Sequence, residues 1–289
     1  MRDLLRPYPY PTQFCSLPYG GELAYMDLGE GPDTVLMVHG LASYAPTWVK
    51  NLEALHHQYR CVAVDLPGFG RSGKGAHTGL LSHYADTLMR LMDKLSLERV
   101  ALMGHSMGGQ ISMHVALRHP DRVSRLVLVA PAGFETFKST EKLWLRKFYS
   151  VDSILNTSVK QVRKNYGYNF FSMPDDIELW MEDRLRVREA TDFGEYANAV
   201  VQSVGGMLDE PVFDRLGEIH QPTLVIYGEE DFLIPSRVLH PGVSTREIAE
   251  LGSAQIPQAT LELIPEAGHF VQYEQPELTN QAILDFLAE

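Results

Sequence analysis

The chain has 289 residues, 45% of them hydrophobic and 21% charged, which excludes a disordered or fibrous protein and admits either one large α/β unit or two domains. Its formal charge of −12 gives it no general attraction for nucleic acid or anionic membranes, so a small molecule is the expected partner. Two cysteines, Cys15 and Cys61, are too few for a disulfide framework, no apolar run approaches the roughly 18 residues of a spanning helix, and residues 1–7 lack the apolar stretch of a signal peptide; a cytoplasmic location is expected.

In chain order, Glu22–Leu28 alternates in polarity and predicts an antiparallel edge strand. Thr34–Val38 is a continuous apolar run, the pattern of a parallel strand buried on both faces. Similar runs follow at residues 61–64, 100–103, 126–129 and 223–227, with a weaker one at 260–264. Helical patterns lie between them: residues 84–95, with Leu88, Leu91, Met92 and Leu95 on one face, then 110–118 and 276–287. Strands alternating with helices predict a mostly parallel, doubly wound α/β sheet. Residues 134–215 interrupt the alternation. They contain no strand pattern, yet they carry 13 of the 28 aromatic residues. An aromatic helical insert suits a lid over an apolar pocket, or a small aromatic core of its own. The segment 238–258 predicts one helix, at 244–251, with no purpose assigned to it.

The most specific local pattern is Gly104-His105-Ser106-Met107-Gly108-Gly109, directly after the strand run at 100–103 and at the opening of a helix. This is Gly-x-Ser-x-Gly in a strand–turn–helix setting. So sharp a turn strains the serine backbone, and glycines on either side remove the Cβ clashes with strand and helix. The turn presents Ser106 at a helix N-terminus, where backbone N–H groups favour developing negative charge.

With that motif the chain resembles the α/β-hydrolase superfamily, and four further segments carry the resemblance. His39-Gly40-Leu41-Ala42 ends the strand Thr34–Val38 and is similar to the family's oxyanion loop. Residues 65–72, Asp-Leu-Pro-Gly-Phe-Gly-Arg-Ser, look like its glycine-rich turn. Residues 228–235, Gly-Glu-Glu-Asp-Phe-Leu-Ile-Pro, resemble the loop of the catalytic acid, and Ala267-Gly268-His269-Phe270, followed by Glu274 and Pro276, the histidine loop. The resemblance implies a Ser106–His269–Asp231 triad in the family's chain order. It also implies an oxyanion hole made by the backbone N–H groups of Leu41 and Met107, with His39, Gly40, Gly104 and Gly108 supporting the motifs. Glu229 and Glu230 are read as solvated loop charges. The insert falls where the family's cap enters, so the expected organisation is a core of residues 1–133 and 216–289 with a helical cap at 134–215.

Ser106 stands where epoxide hydrolases and haloalkane dehalogenases carry aspartate, and His39-Gly40-Leu41 departs from the His-Gly-Gly-Pro loop of proline iminopeptidases. The leading expectation is an esterase acting through an acyl-enzyme on a small or medium apolar ester. The alternative is a carbon–carbon bond hydrolase of ring-fission products, in which a cap arginine, Arg184 or Arg188, binds a substrate carboxylate. A third reading, of another class, is a non-catalytic ligand receptor on the same fold. Trp144 and Phe270 are further candidates for substrate contact. No metal and no cofactor are expected, since the histidines lack paired ligand spacing and no Gly-x-Gly-x-x-Gly follows the first strand. Nothing in the sequence indicates an oligomeric state.

Overall fold

An apolar run is buried on both faces only where helices cover both sides of a sheet. In the computed structural model, which describes residues 1–16, 21–75 and 78–289, the apolar runs form the middle of one such sheet. Its strands are β1 (Thr12–Ser16), β2 (Glu22–Leu28), β3 (Thr34–Val38), β4 (Arg60–Val64), β5 (Val100–His105), β6 (Val123–Val129), β7 (Thr223–Gly228) and β8 (Ala259–Ile264). They lie side by side as β1-β2-β4-β3-β5-β6-β7-β8. β1 and β2 pair antiparallel, β2 pairs antiparallel with β4, and the remaining pairs are parallel. β2 is therefore not the edge strand expected from its alternation. β1 lies outside it, with Thr12 opposite Met26 and Ser16 opposite Glu22.

The helices are α1 (Val49–Leu55), α2 (Leu81–Lys94), α3 (Met107–Arg118), α4 (Ser139–Phe148), α5 (Val151–Leu155), α6 (Val159–Gly167), α7 (Ile177–Arg186), α8 (Phe193–Asp209), α9 (Thr245–Ser253), α10 (Val271–Glu274) and α11 (Pro276–Ala288). Period-2 alternation sends neighbouring strand residues to opposite faces. Leu36, Val38, Val62 and Val64 join a core closed by α2, α3 and α9, while Val35, Met37, Cys61 and Ala63 join a second core closed by α1 and α11. From β6 to β7 the chain is helical, α4 to α8, with no strand. α8 sinks Phe193, Tyr196 and Val200 into the first core, whereas α4 buries no residue.

The sheet fixes where chemistry can occur. β4 lies on one side of β3 and β5 on the other, so connections diverge at the carboxyl ends of β3 and β5 and leave a crevice there. Asp65, fully buried just past β4, ties the crevice wall together. Its carboxylate accepts the Tyr8 hydroxyl, the Ala45 N–H and the Arg71 N–H, each at 2.7 Å. Asp65→Ala leaves two backbone donors buried without acceptors and is expected to cost about 3 kcal/mol. A urea titration checks this: the midpoint falls at an unchanged slope, and a loss below about 1 kcal/mol contradicts the assignment.

Candidate active site

Ser106 connects β5 to α3 with φ = 54° and ψ = −120°, a backbone state costing a non-glycine residue about 1–3 kcal/mol. The surroundings enforce it. Ser106 N–H donates to Val129 O of β6 at 2.9 Å, and Ser106 O accepts from Gly109 N–H at 2.9 Å and Ala132 N–H at 3.0 Å. A Cβ at Gly104 would lie 2.3 Å from Gly108 O, and one at Gly108 would lie 2.3 Å from Val38 O. Only glycine on both sides lets strand, turn and helix approach this closely.

The loop after β3 abuts this turn. A Cβ at Gly40 would stand 3.0 Å from Ser106 Cβ and from His105 Nδ1. Leu41 follows Gly40, and Met107 is the first residue of α3, where helical geometry leaves N–H groups without intrahelical acceptors. His39 orders the loop: its Nδ1–H donates to Gly40 O at 2.7 Å, and its Nε2 accepts Leu66 N–H at 3.0 Å. This uses both nitrogens of a neutral ring, and burial lowers the His39 pKa from the usual histidine value.

Asp231 and His269 come together from the ends of β7 and β8. His269 Nδ1–H donates to Asp231 Oδ2 at 2.8 Å, with Asp231 fully buried. The other oxygen, Oδ1, accepts Leu233 N–H at 2.8 Å and Ile234 N–H at 3.1 Å, so the two carboxylate oxygens have separate partners. Glu229 turns away to pair with Arg246, and Glu230 is exposed. His105 bridges the serine turn to the histidine loop. Its Nε2–H donates to His269 O at 2.9 Å, and its ring lies 4.8 Å from the His269 ring. Burial, with His269 nearby, holds its pKa well below the usual value. Among the described residues no hydrogen bond joins Ser106 Oγ to the His269 ring; such contacts often tighten only when substrate binds.

The other sequence candidates separate clearly. Phe270 belongs to the site's aromatic wall, 4.5 Å from the His105 ring, 5.4 Å from Phe170 and 5.7 Å from Trp180. Trp144 does not: it is 40% exposed on α4 and stacks on Phe148. Arg184 lines a small cavity with Leu5, Ser43, Tyr44, Tyr166 and Tyr196, and Arg188 does not. Ala42, Ser43 and Tyr44, from the loop after β3, form part of that lining; Ser106 does not. The Arg184 guanidinium packs 5.1 Å from the Phe193 ring and 4.8 Å from Tyr196, and its Nη1 is buried without a partner among the described residues. The acids adjacent in sequence are engaged elsewhere, Asp183 with Arg6 and Arg186, and Glu182 with Arg6. Two further contributors are bonded to the histidine loop: Glu274, which the sequence places in that loop's motif without a role, and the main chain of Asn169, which has no local signal in the sequence.

Cys61 is unsuited to nucleophilic work, since burial pushes its thiol up to about 12. Among the described residues no group of three or more His, Cys, Asp or Glu side chains is placed to hold a metal ion, and no helix is long and apolar enough to cross a membrane.

Residues 33–160 match the α/β hydrolase fold family. The chain is 31% identical over 273 residues to a 2-hydroxy-6-oxononadienedioate/2-hydroxy-6-oxononatrienedioate hydrolase of Cupriavidus pinatubonensis, covering 90% of this chain and 89% of that one. A solved structure of a probable hydrolytic enzyme from Pseudomonas aeruginosa superposes with a TM-score of 0.88 at 27% identity, covering 97% of this chain and 95% of the other. A thermophilic esterase from Thermogutta terrifontis superposes with a TM-score of 0.76 at 26% identity, covering 96% and 98%. Sheet order, the strained serine turn and these likenesses agree, and the chain belongs to the α/β-hydrolase family.

Proposed function

We propose that the protein is a serine hydrolase that cleaves a small or medium apolar carboxylic ester through an acyl-enzyme on Ser106. The observation that carries this is the Asp231–His269 pair. Asp231 offers one oxygen to two backbone N–H groups and the other to His269 Nδ1–H, so the imidazole has its basic nitrogen, Nε2, free for the serine proton. A serine hydroxyl is a weak nucleophile until a base takes its proton. In the proposed reaction Ser106 Oγ bonds to the acyl carbon while His269 Nε2 accepts its proton. Carbonyl electrons move onto oxygen, facing the N–H groups of Leu41 and Met107, which are fixed before reaction and cost no reorganisation. The tetrahedral species collapses, the C–O bond to the alcohol breaks, and His269 returns the proton to the departing alcohol. Water, deprotonated by the same imidazole, then releases the acid and restores Ser106.

We take residues 134–215 as a cap whose inner wall includes Phe170 and Trp180, both packed on Phe270. That wall favours an apolar acyl or alcohol group. A second reading has its own support. Arg184 holds a buried, unpartnered Nη1 at the cavity between the loop after β3 and α7, the arrangement that a substrate carboxylate would complete, and the Cupriavidus relative is named for dienedioate substrates. There the same triad would cleave a carbon–carbon bond beside a ketone.

Assays on short-chain p-nitrophenyl esters and on ring-fission dienones, with wild type and Arg184→Ala, separate the two. The ester reading expects ester turnover that changes less than about threefold in Arg184→Ala. Dienone turnover far above ester turnover, lost by about 100-fold or more in Arg184→Ala, would replace it with the carbon–carbon reading; a buried charged contact of this kind contributes about 2–5 kcal/mol. Neither substrate turning over, with a metabolite raising the melting temperature, would favour a binding protein.

A further inference from the structure

The catalytic histidine loop is bonded to the helical segment between β6 and β7. His269 N–H donates to Asn169 O at 2.8 Å, and Phe270 N–H donates to the same carbonyl at 3.3 Å. Asn169 lies just past α6, 100 residues upstream in sequence but in direct contact. Glu274, at the end of α10, completes the junction: one carboxylate oxygen accepts Gly268 N–H at 2.7 Å and the other accepts Ser172 N–H at 2.8 Å. A single side chain thus clamps the residue before His269 to the cap-side segment. Burial pushes the Glu274 carboxyl up from its usual range, and the N–H groups of Ser172, Gly268 and Phe171 offset part of that.

Gly268 shows how tight the contact is. A Cβ there would lie 2.8 Å from Asn169 O, 2.8 Å from Phe171 N and 2.9 Å from Phe170 C, all backbone of the same segment. The root of the segment holds the other triad loop. Glu135 accepts Ser236 N–H at 2.9 Å and is bonded to His240 Nδ1, so the chain that follows Asp231 is also tied to it.

Resting on the reading of Ser106, His269 and Asp231 as a triad, we infer that the junction of Asn169, Ser172 and Glu274 with the histidine loop is a working part of the catalytic machinery. Asn169 O and the Glu274 clamp fix the loop of His269, and Glu274 is a positioning residue for the general base. Docked, the segment fixes the backbone that aims the His269 ring; lifted, it releases the Gly268–His269 backbone, and the base loses its aim. Opening for substrate entry would then switch off the nucleophile, so Ser106 is activated only under a closed roof. A misplacement of about 1 Å is enough to lower a rate on the order of 100-fold.

The test measures kcat and KM on a short-chain p-nitrophenyl ester, and separately the rate at which a fluorophosphonate labels Ser106, a step that needs the activated serine and little of the substrate pocket. The variants are Glu274→Gln, Glu274→Ala and Gly268→Ala, with Gly167→Ala as the control, because a Cβ at Gly167 meets nothing within 4 Å. Glu274→Ala and Gly268→Ala are expected to lower kcat and the labelling rate together by about 10- to 100-fold, with KM within about threefold. Glu274→Gln, which keeps one accepting oxygen, is expected to fall between them and wild type, and Gly167→Ala to match wild type. Glu274→Gln is the smallest change and decides the matter if the other two fail to fold. Wild-type kcat and labelling in Glu274→Gln and in every folded variant, or a change confined to KM, would overturn the inference while leaving the serine reading intact. A wild-type protein that is not labelled at Ser106 would overturn the serine reading, and the inference with it.

Discussion

Ser106→Ala is expected to lower kcat/KM on a p-nitrophenyl ester by roughly 10⁴- to 10⁶-fold, the scale on which removing a triad nucleophile acts in serine hydrolases. Nothing else near the turn can replace the hydroxyl. The neighbouring histidine, His105, is buried and spends its Nε2–H on the His269 carbonyl. The variant should also fold: alanine at φ = 54° carries the same strain as serine, and the bonds that hold the turn are main-chain ones to Val129, Gly109 and Ala132. Circular dichroism and melting temperature are therefore expected to be near wild type, making the loss one of chemistry. Equal turnover by both proteins would remove the serine mechanism.

Asp231→Asn is the second large effect, expected at about 10⁴-fold on kcat, and the backbone around the residue sets the sign. Leu233 and Ile234 both present N–H groups to Oδ1, so the asparagine carbonyl oxygen must face them. The amide NH₂ is then left facing His269 Nδ1, where the carboxylate had been. Two donors cannot share that contact, so Nδ1 becomes the acceptor and the ring proton moves to Nε2. A protonated Nε2 cannot take the Ser106 proton. The substitution keeps shape and most packing, so the fall in kcat should come with little change in KM. A loss below about tenfold would mean that Asp231 does not set the tautomer.

The legible part of the molecule is the part whose physics is local. Runs such as Thr34–Val38 and residues 223–227 are strands because both faces are covered, and each is fully buried in the sheet. Ser106 stands in a turn whose glycines are fixed by steric needs within a few residues, whereas Asp231 and His269 are marked by the resemblance of their loops to those of the family. Helix α9 forms where one is expected, at 244–251, and Ser244 and Glu247 cap each other reciprocally at its start. Its role was not legible: Gly252 packs against the Phe134 ring, and His240 just ahead of it bonds Glu135, so this segment anchors the root of the helical insert.

What was missed depends on distant partners. β1 has a polar, half-exposed sequence, Thr-Gln-Phe-Cys-Ser, and is a strand because β2 offers it a free edge. Arg184 and Arg188 are four apart and would share a helix face, but α7 ends at Arg186 and Arg188 falls in the tighter turn Val187–Glu189. Trp144 is an aromatic residue of the insert, yet α4 buries nothing and its apolar side faces outward. Glu274 stood in a recognised motif without a function, because its partner Ser172 lies 102 residues away.

The proposed chemistry runs through a covalent acyl-enzyme on Ser106, which rapid mixing with a p-nitrophenyl ester would detect. A burst of about one equivalent of p-nitrophenol per active site is expected wherever deacylation is the slower step. Acid-quenched enzyme should carry the acyl mass on the peptide containing Ser106, and Ser106→Ala should give neither burst nor adduct. Turnover by wild type with the acyl group on another residue, or undiminished turnover in Ser106→Ala, would contradict it.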